Sequence, residues 1–289
     1  MSFKKIANAQ LNEPILRMTD WEKMYGQHTF GRKTASFSKI GADTSKYLLS
    51  HCTIMASVQT EASPYDYLIK PECSHLVNNN DDAWTNEVLK LSHRSFVGAF
   101  NFVEHFQNSK YAKGHILDAV LRKIQIAPPE VWVYFCDILV ATDTAHKELV
   151  SDIREGKVRY LSMGCVTDLV ICSFCGSHVT DANTYCGHLS YQKGTFLADE
   201  DGVARRVAEL CGHASLPNGG VKFVEASWVG TPAFPGADKQ STVADEWIGP
   251  KTPYTRKAAN TNMYSKVASK LDVGEVLMNE DDLRGRNLR

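Results

Sequence analysis

AHKELVSDIREGKVRYLSMGCVTDLVICSFCGSHVTDANTYCGH, residues 145–188, changes period twice within one run. Ala145, Leu149 and Ile153 recur every four residues and so share one face of a helix. Asp143 or Thr144 supplies a candidate N-cap oxygen, and Gly156 a residue free to turn the chain out of the helix. From Val158 the pattern becomes strand-like and delivers Ser162 just before Gly164, where a bend would expose its hydroxyl. Seven residues past Cys165 a C-x2-C…C-x-H string begins. One half of the run offers a nucleophile and the other a metal site.

Working outward, residues 47–58, YLLSHCTIMASV, read as a core strand. NNNDD at 78–82 is a turn preceding an apolar-periodic helix at about 84–91. The stretch FVEHFQNSKYAKGHILDAVLRKI, 102–124, reads as strand, loop and strand with Gly114 at the bend. Pro128 and Pro129 break the chain before an apolar run at 131–140, which Asp137 interrupts; it is too short for a membrane helix and fits a buried strand. A helix is expected near 203–210 and a strand at 221–229, closed by Pro232 and Pro235. Residues 1–45 are polar, with a weak helical signal at 15–24, and read as an arm or peripheral layer. From Asp238 the composition shifts to Ser, Thr, Asn, Lys and Ala and ends in NEDDLRGRNLR, a linker and tail spanning 238–289.

At 289 residues, 43% hydrophobic and 22% charged, the chain can bury one sizeable core with a small appended module. Its 32 Lys and Arg balance 33 Asp and Glu, so the electrostatic footprint that nucleic acid or anionic membranes select is missing. Neither is an expected partner. The N-terminal residues lack the apolar run of a secretory signal. Eight cysteines without such a signal point to a reducing compartment, where close-spaced thiols serve as metal ligands more often than as disulfides.

A serine hydroxyl attacks a carbonyl only where a base removes its proton and amide groups stabilise the oxyanion, so a lone S-x-G string carries little. Three strings occur here in order: EH…KG-x-I-x-DA, then A-x-x-ELV-x-x-IREGK-x-x-x-LS-x-G, then F-x-EAS-x-V-x-x-PA-x-PGA. Together, over His51 to Ala237, they resemble the head-maturation (prohead) proteases of tailed bacteriophages, a family distantly similar to the herpesvirus assemblins. The resemblance implies Ser162 as nucleophile, His105 as base and Glu225 as the group that orients the imidazole. His51, as an assemblin-type third partner, and His115 are the competing histidines. Cys165 stands where the family more often has an aromatic residue. A rival nucleophilic role for Cys165 is weaker than its reading as a small apolar filler.

Cys172, Cys175, Cys186 and His188 have the spacing of a tetrahedral zinc site, two thiolates on one knuckle and a Cys/His pair from a second turn. Cys211 and His213 repeat the C-x-H spacing, so either that pair or His178 could replace a ligand. Four protein ligands close the coordination shell. The expected zinc is therefore structural, and catalysis would need no metal.

These pieces give an α/β (α+β) expectation: a mostly antiparallel, barrel-like sheet with peripheral helices, assemblin-like, carrying a small zinc-ribbon-like insertion. The protease domain would span 46–237, with the insertion at about 168–215. The resemblance implies a serine endopeptidase in the host cytoplasm, inside the assembling procapsid. Its substrates would be scaffold or core proteins, capsid proteins and the chain itself, and the arm and tail would be candidates for core packing or self-cleavage. Self-association is an open expectation. The alternatives are a non-enzymatic virion or scaffold component using the zinc module for contacts, and, against the charge balance, a zinc-ribbon nucleic-acid binder.

Overall fold

The computed structural model describes residues 46–128 and 130–243. The arm through residue 45, with its helical signal at 15–24, and the tail from 244 lie outside the described residues. In chain order the larger elements are β1 (Tyr47–Ala56), β2 (Asp82–Ala83), α1 (Asn86–Ser92), β3 (Phe100–Val103), β4 (Gly114–Ala127), β5 (Val131–Asp143), α2 (Lys147–Arg154) and β6 (Tyr160–Thr167). They are followed by β7 (Val170–Cys172), β8 (His178–Val179), α3 (Gly187–Tyr191), β9 (Phe196–Ala198), β10 (Ala204–Arg206), β11 (Glu209–Cys211), β12 (Val221–Val229) and β13 (Asp238–Val243).

Seven strands close a barrel in the order β1, β13, β6, β12, β3, β4, β5. Every neighbouring pair is antiparallel except β12 with β3, which is parallel. The architecture is thus α+β, with a closed mixed barrel and few helices. Closure removes the exposed edges of an open sheet.

The barrel interior is set by alternation. Leu161 and Met163 of β6, Ala226 and Trp228 of β12, and Cys52 and Ile54 of β1 project into one apolar cluster. Phe96 stacks on Phe223 at 4.2 Å, and α1 adds Val88 and Leu89. Thr85 caps α1 by accepting from the Val88 N–H at 3.3 Å. Helix α2 buries Val150 and Ile153 against the same cluster, with Leu149 beside them.

Strand β5 is buried on both faces for most of its length. Its Asp137 is fully buried, and the burial is compensated: Arg122 donates to Oδ2 at 3.0 Å, Thr53 to Oδ1 at 2.8 Å, and His51 Nε2 lies 3.2 Å away. Burial alone would raise the Asp137 pKa. Arg122 and His51 outweigh it and hold the carboxyl far below the ordinary range.

A second sheet, in the order β2, β11, β7, β8, joins the insertion's β7, β8 and β11 to β2 from earlier in the chain, with the hairpin β9–β10 beside it. Three expectations change here. The helix near 203–210 is instead β10 and β11, because Gly202 makes a left-handed turn that folds β10 back on β9, and β11 pairs with β7. The domain end at Ala237 is one strand short, since β13 fills the gap between β1 and β6. The N-cap of α2 is His146 with no side-chain bond, while Asp143 accepts from the Ala145 N–H at 2.8 Å in the turn before it.

Candidate active site and metal centre

The face of the barrel wall opposite the core carries Ser162 and Glu225, and His105 reaches Glu225 there; among the described residues no hydrogen bond joins Ser162 to His105. Ser162 on β6 pairs with Ser227 on β12, and Gly164 pairs with Glu225. Cross-strand partners share a face, and so do residues two apart, so Ser162, Ser227 and Glu225 project from the same side of the sheet. β3 ends at Val103, and Glu104 and His105 follow in consecutive left-handed conformations, φ 49° and 56°. This turn sets the imidazole over β12, with Nδ1 2.6 Å from Glu225 Oε1.

Glu225 is held on both oxygens. Its Oε1 meets His105 and also accepts from Gln107 Nε2 at 3.3 Å, while Oε2 accepts from the Ser227 hydroxyl at 2.5 Å. Its side chain is 1% exposed against 39% for that of His105, so the imidazole forms the solvent edge of a buried carboxylate. Burial disfavours the protonated ring. The hydrogen bond and charge of Glu225, with Glu104 adding, more than offset this and raise the His105 pKa above the ordinary imidazole value.

Ser162 is not exposed at a bend. It lies mid-strand at 7% exposure, and β6 runs on to Thr167. Gly164 serves a different end: a Cβ there would lie 2.6 Å from Glu225 Oε1 and 3.0 Å from Gln107 Nε2. Gly164→Ala is therefore expected to cost about 1–3 kcal/mol by overpacking and to push Glu225 off His105. Thermal unfolding together with the His105 titration, followed by NMR, checks both effects.

The competing histidines are engaged elsewhere. His51 on β1 is committed to the Asp137 network. His115 occupies the same cross-strand row as Glu225, but Phe100 stands between them, its ring 5.1 Å from that of His115. Burial lowers the His115 pKa.

Sequence reasoning missed Ser227, Gln107 and Glu104. Ser227 had a visible signal, because the E-x-S alternation places it on the face of Glu225. Gln107 and Glu104 act through a turn whose shape only the folded chain reveals.

Cys172, Cys175, Cys186 and His188 converge, each offering a ligand atom within 4.8 Å of the others. Cys172 ends β7, and the knuckle closes by the Gly176 N–H donating to Cys172 O at 3.0 Å, with Gly176 at φ 68°. Cys186 is the N-cap of α3, and His188 lies in its first turn. Burial pushes the Cys172 thiol up to about 12. Burial also opposes the Cys186 thiolate, but N–H groups of the α3 turn, led by Leu189, and the neighbouring Cys172 and Cys175 lower its pKa.

The donor set fits a metal ion. Cys175 and Cys186 sulfurs lie 3.6 Å apart, and His188 Nδ1 is buried with no protein hydrogen-bond partner, so a cation is the group that would satisfy it. Cys211 stands apart, buried in the barrel-side core, and His213 Nδ1 bonds Ser215 Oγ at 2.7 Å. His178 is exposed, its ring 6.0 Å from that of His213. None of the three joins the described metal cluster.

No protein-family model, curated protein or solved structure matches this chain. No described helix is long and apolar enough to cross a membrane.

Proposed function

We propose that the protein is a serine endopeptidase in which Ser162 is the nucleophile, His105 the general base and Glu225 the residue that orients the imidazole. The observation that carries this reading is the 2.6 Å contact of His105 Nδ1 with a buried Glu225, on the sheet face that also bears Ser162. With Nδ1 committed to the carboxylate, Nε2 is the nitrogen left to take a proton. In the proposed cycle Nε2 accepts the Ser162 proton as Oγ attacks a peptide carbonyl and returns it to the amine as the C–N bond breaks. Water then attacks the acyl ester, Nε2 taking its proton and giving it back to Ser162 Oγ as the acid leaves. Glu225 stabilises the imidazolium in between, at a position where Ser227 and Gln107 prevent it from turning.

The ordered sequence strings and the barrel support the more specific reading: a protease of phage procapsid maturation, assemblin-like in fold. It would act in the host cytoplasm on scaffold, core and capsid proteins and on its own termini. Co-expression with those proteins should yield shortened products that disappear with Ser162→Ala; unchanged products would overturn the assignment.

Because the base must be neutral and its pKa is raised, kcat/KM should climb with pH through an inflection above the ordinary imidazole value of 6.5. A pH–rate profile whose acidic inflection falls below that value would contradict the Glu225–His105 coupling.

The metal is proposed to be zinc, held by Cys172, Cys175, Cys186 and His188. When bound it would cross-link the insertion and take no part in bond cleavage, since four protein ligands leave no open position.

A further inference from the structure

We infer that Glu104 is a positioning residue that clamps the left-handed turn presenting His105. Two successive non-glycine residues at positive φ are strained and persist only where surrounding bonds hold them. Glu104 supplies those bonds from both of its ends. Its N–H donates to Trp228 O at 2.9 Å, and its Oε1 accepts from the Gly230 N–H at 2.7 Å. Both anchors lie at the end of β12, the strand that carries Glu225.

One residue thus fastens the turn bearing the imidazole to the strand bearing its carboxylate. The turn is completed by the Phe106 N–H donating to Val103 O at 3.1 Å and the Gln107 N–H to His105 O at 2.8 Å. These bonds shape the loop. Across to the β12 segment the Glu104 carboxylate ties the turn to Gly230, and Gln107 Nε2 adds a longer bond to Glu225. Glu104 touches no reacting atom and acts through His105.

The catalytic consequence rests on the proposed peptidase reading; the positioning itself does not. In the full-length protein, Glu104→Ala should abolish the exchange-protected His105 Nδ1–H resonance and return the ring's titration toward that of a free imidazole, with the barrel still folded by circular dichroism. Cleavage should fall by about 10²-fold, as expected of a displaced catalytic group. Glu104→Gln keeps an acceptor for the Gly230 N–H and removes only the charge. It should retain the resonance, lower the His105 pKa slightly and leave cleavage within about threefold of wild type. A Glu104→Ala protein with the resonance and titration of the wild type overturns the inference. Absence of cleavage in the wild type would sink the peptidase reading instead, and the two failures are read on different instruments.

Discussion

On the proposed peptidase reading, Ser162→Ala should leave a folded barrel whose peptide cleavage falls by about 10⁴–10⁶-fold, because removing the nucleophile of a triad disables the unit. The stability change should stay within about 1 kcal/mol, since only a hydroxyl is lost from a small side chain in mid-strand. His105→Ala should lower activity comparably, and the double variant should do no further harm. Mass spectrometry of products formed by purified wild type and variants measures all three. Shortened products persisting with purified Ser162→Ala would mean that the hydroxyl is not the nucleophile. Multiplying losses in the double variant would mean that Ser162 and His105 do not work together.

The second large effect concerns the insertion. Its own apolar cluster is small: Val170, Cys172, Val179, Leu189 and Val207 are its buried members. Ile171, Ala208 and Leu210 anchor the base of the insertion in the larger cluster shared with β5. It is therefore the metal-bearing end, from Cys172 to α3, that few buried side chains hold, whereas a four-ligand zinc would contribute an apparent 10–16 kcal/mol, roughly, at neutral pH. Cys172→Ser, or treatment with a strong chelator, should unfold this end while sparing the barrel. Hydrogen exchange followed by mass spectrometry should show loss of protection from β7 through α3, with β4 and β5 unchanged. Elemental analysis should give about one zinc per chain in wild type and a large loss in the variant. Metal-free protein with full protection of the insertion would overturn the structural role.

The two sites should be separable. The metal cluster belongs to the β2–β11–β7–β8 sheet and the serine to the barrel wall, joined through the short link from β6 to β7. Ser162→Ala should keep whatever metal the wild-type cluster binds.

Much of the barrel was legible locally. The strand at 221–229 matches β12, the loop between 102 and 124 separates β3 from β4, and the Gly156 stop follows α2, because period, turn residues and apolar runs are properties of neighbouring residues. The 203–210 segment misled for the same reason. Its short alternation of apolar and polar residues suits helix and strand alike, and pairing with β9 and β7 decided the matter. The polar composition of Asp238–Val243 concealed a barrel strand, since pairing on both sides can hold a segment that its own side chains do not mark.

The candidate metal site was fixed almost wholly by sequence, because three of its ligands lie within one short span and the fourth two residues beyond, so local turns suffice to gather them. The serine, the histidine and the glutamate come from β6, the turn after β3 and β12, and no local rule brings these together. Strand pairing places β12 between β6 and β3, so Ser162 and Glu225 share one sheet face, and the left-handed turn directs His105 back onto Glu225. Chain order named the groups; strand pairing and the turn after β3, both long-range in origin, placed Glu225 beside His105 and on the face of Ser162.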